Sequence, residues 1–422
     1  MGQIRGKAAM LLLAGLLAVG GIGEGSARAA TVKSKPVTIV LDQVALPLDS
    51  EPKVAGGVTL VPFRGIAEAL GVTVVWDAKG KTVQAAGPDG RGGTADVRLR
   101  IGSKKATVNG TEIALAGAPV MQQGRVLIPL AFFGRQFGAN VSWDGASRTV
   151  VIVSPQREME LLGFYALSSF DQRAWIPSFN EVAFGWSRID ENGEWTTGGK
   201  EYKWPQAAGD ITPEALIQGA AADSAKPFLM VYAVDGKGEL SKMLSTPALR
   251  DRSIESIVNT VKDKGFQGVV LDYEGLGWKD APETPRRLLN EYTALLDKGL
   301  PDGVKLSLAV PPPNGSYRGY DYASLARTAD HLVLMAYDYT RDGSPEPNAK
   351  VDEAIRMTLK QGVPKDKLML GISIDSETER TVTAKLGLAK RYDLRGAAFW
   401  RLGIYTDAER QAIAESVSRA GG

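Results

Sequence analysis

Apolar runs alternate with segments of helical periodicity through the C-terminal part of the chain. The runs are LLGFYA (161–166), EVAFGW (181–186), PFLMVYAV (227–234), GVVLDY (268–273), KLSLAV (305–310), HLVLMAYDY (331–339), LMLGIS (368–373) and GAAFWRL (396–402). Helical segments such as 284–299 and 350–362 lie between them. This alternation is typical of a parallel sheet built from βα units.

Eight such units in about 260 residues predict an α/β fold, a (β/α)₈ TIM barrel over residues 160–422. A doubly wound open sheet is the competing architecture. It is disfavoured because no glycine-rich phosphate loop follows the first run. The glycine-rich stretch 87–93 lies outside this region and is interpreted as a loop.

Residues 31–154 have short alternating strands and contain an internal repeat. VTLVPFRGIAEALGVTVVWDAKGKTV (58–83) matches RVLIPLAFFGRQFGANVSWDGASRTV (125–150) without a gap. Each copy predicts a strand, a helix begun by proline, a strand ending in Trp-Asp, and another strand. We therefore expect a smaller α+β domain, joined to the barrel by the polar junction 154–160.

The repeat places Trp76 and Trp143 at equivalent positions, 67 residues apart. Such residues can stack on sugars, but at these positions a core location is favoured for both. The predicted role of the domain is attachment or spacing at a cell wall.

The first 29 residues predict a signal peptide. Arg5 and Lys7 form a basic start, residues 9–20 are apolar, and SARAA (26–30) has the small-x-small pattern of a cleavage site. The apolar stretch is too short to span a bilayer comfortably, and no later segment is long enough. We expect a secreted, extracellular protein without a transmembrane segment, associated with a cell wall or spore.

Composition excludes several kinds of chemistry. The chain has no cysteine and one histidine, His331, which excludes thiol catalysis, disulfide scaffolds and multi-histidine metal sites. We predict no metal, no cofactor and a structural role for His331. The net charge of +2 provides no electrostatic attraction for nucleic acid or an anionic membrane. Carboxylates, tyrosines and tryptophans must therefore supply the chemistry.

Two carboxylates stand at the end of the fourth run. Asp272 and Glu274 are two residues apart and share a face of the predicted strand, about 6–7 Å apart at the backbone. In a barrel, polar residues at the carboxyl ends of strands face the active-site mouth. A like-charged neighbour raises the pKa of a carboxyl, which keeps one of the pair protonated and useful as a general acid.

The sixth and eighth runs also end in polar or aromatic residues. In MAYDY (335–339), strand alternation predicts Tyr337 and Tyr339 on one face and Asp338 on the other. The eighth run places Trp400 where a sugar ring can lie on it. We predict Trp400, Asp338 and Tyr339 as substrate contacts. Carboxylates, a tyrosine hydroxyl and an indole without metal ligands make a carbohydrate site.

The first run ends in Phe164 and Tyr165. Alternation points only one of these side chains toward the mouth and does not select between them. We take Tyr165 as the substrate-binding residue.

These motifs resemble glycoside hydrolase family 18. Its fourth-strand motif, Asp-Gly-x-Asp-x-Asp-x-Glu, corresponds to QGVVLDYE (267–274), and its sixth-strand Met-x-Tyr-Asp to MAYD (335–338). The eighth-strand Trp is Trp400. Residues 160–422 therefore look like a chitinase-type barrel, closest to the bacterial cell-wall and spore-associated branch. Residues 31–154 resemble the copper amine oxidase N-terminal-like (stalk) domain, although nothing in them could hold copper in the usual His-rich way.

The resemblance implies hydrolysis of β-1,4 bonds next to N-acetylglucosamine, by a substrate-assisted mechanism that retains configuration. It makes Glu274 the acid and base, and Asp272 the residue that orients the substrate acetamido N–H. Tyr337 would hydrogen-bond the acetamido carbonyl, and Trp400 would form the floor under the sugar. The implied partners are N-acetylated polysaccharides, either peptidoglycan or chitin oligomers.

The chain departs from the family pattern in two respects. Val270 stands at the inner Asp of the motif, where the wall-associated branch often has Asn, and Gln267 stands at the first Asp. Because valine accepts no hydrogen bond, Asp272 can pair only with Glu274 from this strand. We expect a slower enzyme or a shifted pH optimum. A catalytically weak or inactive glycan-binding protein of the wall or spore surface is the alternative.

The second departure is length. Only about 25 residues separate the seventh run from Gly396, so the barrel has no room there for an inserted subdomain. We therefore expect a shallow, open cleft.

Overall fold

The computed structural model describes residues 36–278 and 281–421. The predicted signal peptide, residues 1–29, lies outside the described residues. In the described part of the chain, every helix is too short or too polar to cross a membrane.

The N-terminal domain is built from short strands and two helices. The strands are β1 (Thr38–Leu41), β2 (Val44–Ala45), β3 (Lys53–Ala55), β4 (Val58–Pro62), β5 (Thr73–Asp77), β6 (Thr82–Pro88), β7 (Thr94–Arg100), β8 (Lys105–Val108), β9 (Thr111–Ala114), β10 (Val120–Gln122), β11 (Arg125–Pro129), β12 (Asn140–Asp144) and β13 (Thr149–Val153). The helices are α1 (Phe63–Ala69) and α2 (Leu130–Gln136). The sheets have the strand orders β12-β13-β1-β2, β10-β11-β4-β3 and β5-β6-β7-β8-β9.

Both copies of the repeat adopt the predicted order of elements. The series β4, α1, β5, β6 corresponds to β11, α2, β12, β13. Each helix follows a proline, Pro62 or Pro129, whose missing N–H would have no partner in the first turn anyway. Strands β4 and β11 pair antiparallel, with Val61 opposite Ile128, so the two copies meet in one sheet.

The two repeat tryptophans have different environments. Trp76 is half-buried and packs against the domain core. Trp143 is 46% exposed. The prediction of a core position is therefore wrong for Trp143, because it lies on β12, an edge strand whose side chains are mostly exposed.

The C-terminal part of the chain forms a barrel. Its strands are β14 (Arg157–Tyr165), β15 (Glu181–Ile189), β16 (Trp195–Thr196), β17 (Lys226–Val234), β18 (Gly268–Glu274), β19 (Lys305–Val310), β20 (His331–Leu334), β21 (Leu368–Ser373), β22 (Gly396–Trp400) and β23 (Val417–Arg419). Its helices are α3 (Pro213–Ala222), α4 (Glu239–Ser245), α5 (Pro247–Lys264), α6 (Glu283–Gly299), α7 (Tyr322–Thr328), α8 (Asn348–Lys360), α9 (Glu379–Arg391) and α10 (Asp407–Ser416). Leu167–Ser178 and Lys365–Lys367 are 3₁₀ segments.

The barrel is closed. Parallel pairing runs in the order β14-β15-β17-β18-β19-β20-β21-β22, and β22 pairs with β14 to complete the circle. Each of the eight apolar runs supplies one of these strands. The (β/α)₈ prediction is confirmed and the open-sheet alternative is wrong, because a closed sheet has no edge.

Side chains of the barrel strands alternate between two cores. We call the set inside the barrel the interior cluster, and the set between strands and helices the outer core. The interior cluster comprises Leu162, Phe164, Ala183, Phe228, Met230, Val270, Ala309, Val333, Met335, Met369 and Ala398. The first residue of β18, Gly268, has no room for a side chain, because a Cβ there would lie 2.5 Å from the ring of Phe228.

His331 has a structural position, as predicted. It is the first residue of β20 and 1% exposed, far along the strands from their carboxyl ends. Its Nε2 lies 3.3 Å from Oε2 of Glu181, and its Nδ1 lies 3.3 Å from Oγ of Ser307. Burial lowers the pKa of His331 to about 3 and raises the pKa of Glu181 to about 7. Near pH 5 both side chains are therefore neutral.

Candidate active site

Strand β18 delivers two carboxylates to the mouth of the barrel. Asp272 is 4% exposed, and Glu274, the last residue of the strand, is half-buried. Both follow Val270 on the interior side of the strand. On the neighbouring strand β17, Tyr232 stands opposite Asp272.

The two carboxylates have perturbed proton affinities. Burial, together with the charge of Glu274, raises the pKa of Asp272 well above its ordinary value. Burial, together with the charge of Asp338, raises the pKa of Glu274 to about 7. The Oδ1 atom of Asp272 is buried and has no hydrogen-bond partner within the described residues. The site therefore combines a carboxyl that holds a proton near neutrality with a free, buried acceptor.

Val270 lies below this pair with no exposed surface. It belongs to the interior cluster, with Met230 opposite it on β17, and the buried Ser307 stands opposite it on β19. The aliphatic side chain of Val270 therefore packs into the interior cluster directly below Asp272.

We expect Val270→Asn to destabilise the barrel without increasing activity. A buried amide with unsatisfied hydrogen-bonding groups costs about 1–3 kcal/mol. Thermal unfolding measures the effect, with Val234→Asn on the partly exposed end of β17 as the matched control. Unchanged stability together with higher activity would contradict this prediction, because it would show that a polar side chain at position 270 is tolerated and useful.

The sixth strand ends before the motif that it was predicted to carry. Strand β20 stops at Leu334, and Asp338 has a left-handed backbone with φ of 61°. Strand alternation therefore fails here. Asp338 was predicted on the face opposite Tyr337, yet it lies near enough to Glu274 for its charge to raise the pKa of Glu274.

Tyr337 and Tyr339, predicted on the same face, are separated. Tyr337 packs against the interior cluster, and burial together with the charges of Asp272 and Glu274 raises its pKa well above the ordinary value. Its hydroxyl therefore keeps its proton and can donate. Tyr339 packs against the outer core, and its hydroxyl donates to Oδ1 of Asn314 at 2.8 Å. The shared-face prediction is wrong, because no regular strand continues past Leu334.

Trp400 ends β22 and is half-buried. Its ring packs against Phe164 of the interior cluster, with centroids 5.4 Å apart. Tyr165 points the other way, is 2% exposed and packs against Phe184 at 5.1 Å. The prediction that Tyr165 contacts substrate is therefore wrong: alternation along β14 directs Phe164, and not Tyr165, toward the mouth.

Two tyrosines that sequence reasoning missed complete the mouth. Tyr202 and Tyr232 stack with centroids 4.0 Å apart and planes inclined by 13°, against the interior cluster. Burial and the charges of Asp272 and Glu274 raise the pKa of both hydroxyls. Tyr232 carried a signal, because it follows Met230 by two positions in the third run. Tyr202 comes from an irregular connection and carried none.

A series of hydrogen-bonded, buried polar side chains supports the backbone at Asp338. The Glu346 carboxylate, 5% exposed as a residue, accepts the backbone N–H groups of Asp338 and the next residue at 2.9 and 3.1 Å. The N–H of Glu346 donates to Oε1 of Glu377 at 3.2 Å. Lys385 on α9 donates to Glu377 at 3.2 Å and to Oδ1 of Asn348 at 2.8 Å.

Helix α9 also packs against the N-terminal domain. Gly387 lies against Asp42, where an added Cβ would come within 2.3 Å of the Asp42 side chain. Asp42 accepts hydrogen bonds from the backbone N–H and the hydroxyl of Ser154 at 2.8 and 2.7 Å. Nζ of Lys390 lies 3.9 Å from the Asp42 carboxylate. One helix therefore contacts the N-terminal domain and also carries Lys385, which supports the mouth.

Within residues 36–278 and 281–421, no group of three or more His, Cys, Asp or Glu side chains has an arrangement that could hold a metal ion. The described mouth offers proton-transfer groups, an acceptor, a donor and an aromatic surface.

Comparison with known proteins agrees with this geometry. Residues 218–387 match the family model for glycosyl hydrolases family 18, and residues 40–152 match that for the copper amine oxidase N-terminal domain. Chitinase 1 of Aphanocladium album is 30% identical over 186 residues, 38% of this chain and 42% of that protein. The putative sporulation-specific glycosylase YdhD of Bacillus subtilis is 30% identical over 142 residues, 32% of each chain. The chain thus spans about a third to two fifths of the length of these relatives.

Among solved structures, the spore cortex-lytic enzyme SleL of Bacillus cereus is similar with a TM-score of 0.52. It is 17% identical, and the match covers 64% of this chain and 78% of that one. At this identity the likeness shows the fold. The chain is therefore similar to the copper amine oxidase N-terminal domain over residues 40–152 and to glycosyl hydrolases family 18 over residues 218–387, within the barrel.

Proposed function

We propose that the barrel is a glycosidase that hydrolyses β-1,4 bonds next to N-acetylglucosamine in peptidoglycan or chitin-type glycans. The observation that carries the proposal is Glu274, a carboxyl with a pKa raised to about 7 at the mouth of the barrel. It stands beside the buried carboxyl group of Asp272 and among aromatic side chains, in a barrel that is similar to glycosyl hydrolases family 18 over residues 218–387.

Glu274 acts as the general acid in the first step and protonates the glycosidic oxygen as the bond to the anomeric carbon breaks. The acetamido oxygen of the substrate closes on that carbon and forms a cyclic intermediate, so configuration is retained. Asp272 accepts a hydrogen bond from the acetamido N–H through Oδ1. This role is supported by the burial of Oδ1 and its lack of a hydrogen-bond partner within the described residues. In the second step water attacks the anomeric carbon, the bond from that carbon to the acetamido oxygen breaks, and Glu274, now a carboxylate, takes a proton from the water.

Three side chains position the sugar in this proposal. Tyr337 donates to the acetamido carbonyl, since its hydroxyl is held protonated beside the two carboxylates. Trp400, backed by Phe164, supplies an apolar surface under the ring. Asp338 is exposed, and its charge raises the pKa of Glu274. In this proposal it contacts the substrate at the rim of the barrel mouth.

We further propose that the chain is secreted and works on a cell wall or spore. This rests on the N-terminal sequence, residues 1–29, and on the similarity to the putative sporulation-specific glycosylase YdhD of Bacillus subtilis.

The test is the production of new reducing ends from purified peptidoglycan and from chitin oligosaccharides. Release from either substrate supports the glycosidase. Binding of both glycans without any cleavage would instead support the weak or inactive glycan-binding protein that Val270 motivates.

The rate is expected to fall on the alkaline side of about pH 7. Glu274 must be protonated to act as an acid, so kcat/KM decreases up to tenfold per pH unit above its pKa. In Asp338→Asn the alkaline limb moves to lower pH, because a negative charge that raises the pKa of Glu274 is removed. A profile of kcat/KM from pH 5 to 9 measures both. A limb that stays in place in Asp338→Asn would contradict the assigned electrostatics.

A further inference from the structure

Two separate grooves open on the N-terminal domain, each with a volume of about 290 Å³. The first groove is lined by Pro62, Val74 and Trp76, with Arg64, Arg125 and Asp49 at its polar side. The second groove is lined by Pro129, Val141 and Trp143, with Thr59, Arg135 and Ser142 at its polar side. Neither groove belongs to the barrel mouth.

The apolar linings of the two grooves are equivalent in the repeat. Their prolines, valines and tryptophans are the same repeat positions, 67 residues apart. Gly124 in the first groove and Gly57 in the second are also related by this spacing, with the copies exchanged. The pseudo-equivalence follows from the pairing of β4 with β11, which joins the two copies through one sheet.

The indoles are the least expected feature of these grooves. Aromatic rings of the same domain, such as Phe133 and Phe137, are each 1% exposed, which shows that the core takes up large side chains. Trp143 nevertheless stays 46% exposed, and Trp76 is only half-buried. An indole exposed in a groove is a large apolar surface that folding leaves free for a ligand.

Polar groups line the same groove as each indole. In the first groove, Arg125 pairs with Asp49 at 2.5 Å, with both side chains more than half exposed. In the second groove, Nε of Arg135 donates to the carbonyl of Ala131 at 3.1 Å, which leaves other guanidinium donors available. An apolar plane in a groove that also has polar donors and acceptors matches a pyranose ring, which has an apolar face and hydroxyls at its edge.

The duplication indicates what kind of ligand fits. A small groove that occurs twice is suited to a ligand with a repeating unit, because one polymer can offer the same group to both copies. Each cavity has the volume of a small-ligand site. A stable protein partner would instead need a continuous contact of about 800 Å² on each side.

We propose that the two grooves of the N-terminal domain are sugar-binding sites, through which the chain attaches to the polysaccharide that its barrel cleaves. Only the choice of polysaccharide rests on the proposed function. Two weak sites on one chain bind an insoluble polymer more tightly than either alone, since the second contact is intramolecular.

The test measures sedimentation of the full chain with insoluble chitin and with purified peptidoglycan, in a Glu274→Gln background that prevents cleavage. Trp143→Ala is the primary variant, because Trp143 is the more exposed of the two tryptophans. Trp76→Phe and the Trp76→Phe/Trp143→Ala pair follow. Val153→Ala, an exposed apolar residue of the same domain outside both grooves, is the matched control.

We expect Trp143→Ala to weaken binding about 3- to 10-fold, the value of one aromatic contact, and the pair to weaken it further. Val153→Ala should bind like the parent. Binding by the pair equal to that of the parent would overturn the proposal. So would a parent chain that is dimeric in solution and becomes monomeric with Trp143→Ala, since the grooves would then be an interface between copies.

Hydrolysis of soluble chitin oligosaccharides separates this proposal from the proposed function. The tryptophan variants, made in the chain that retains Glu274, should hydrolyse soluble oligosaccharides at the parental rate. Loss of sedimentation without any hydrolysis by the parent would support the grooves and refute the glycosidase. Hydrolysis by the parent with sedimentation unaffected by the variants would do the opposite.

Discussion

Glu274→Gln is expected to lower kcat for hydrolysis of N-acetylated oligosaccharides by about 10²- to 10⁴-fold. Glutamine keeps the size of the side chain but cannot give a proton to the glycosidic oxygen. The effect is large because Glu274, with a pKa of about 7 in a partly buried setting, is suited to hold that proton at neutral pH. Binding of oligosaccharide should persist, since Trp400 and Tyr337 are unchanged.

Single-turnover rates and oligosaccharide affinity measure this separation of chemistry from binding. Glu255→Gln, on the exposed face of α5, makes the same chemical change away from the mouth and should have no effect. Retention of more than a tenth of the activity by Glu274→Gln would exclude Glu274 as the acid. Equal inactivity of parent and variant, with both binding glycan, would favour the binding-protein alternative.

Lys385→Met is expected to reduce the free energy of unfolding of the barrel by about 3–5 kcal/mol. Its side chain and that of Glu377 are 4% and 1% exposed, and the pair is joined at 3.2 Å. Removing the lysine leaves the carboxylate of Glu377 buried without its cation. Glu377 accepts a hydrogen bond from the backbone N–H of Glu346, and the carboxylate of Glu346 accepts one from the backbone N–H of Asp338. Because Asp338 is a proposed substrate contact, we also expect KM to rise.

Chemical or thermal unfolding of the full chain measures this prediction. The double variant Glu377→Gln/Lys385→Met should recover much of the stability, because it removes both buried charges. The matched control is Lys350→Met, which breaks an exposed ion pair with Glu353 and should cost less than about 1 kcal/mol. If Lys385→Met and Lys350→Met behave alike, the buried chain does not support the mouth.

The barrel itself could be predicted because the patterns that indicate its strands and helices each extend over only a few consecutive residues. Eight apolar runs separated by helical segments require neighbouring parallel strands, and closure removes the exposed edges that eight strands would otherwise leave. Asp272 and Glu274 could be placed for the same reason. They continue a strand whose alternation is regular to its last residue, so their shared face followed from their spacing.

The remaining mouth residues depended on where regular structure ends. Alternation could not choose between Phe164 and Tyr165, since both cores of a barrel are apolar. It failed at Asp338, because β20 ends four residues earlier and the backbone there turns into the left-handed region. Tyr202 reaches the mouth from an irregular connection, whose path no periodicity encodes.

The sequence by itself determined the barrel, the repeat, the carboxylate pair and the position of Trp400, because strand period and motif spacing act over a few residues. Only the tertiary structure decided that Val270 packs in the interior cluster and that Tyr165 faces the outer core. It also decided that α9 carries Lys385 behind the mouth, and that the repeat tryptophans line two grooves. These features depend on contacts between residues distant in the chain, and such contacts are set by packing.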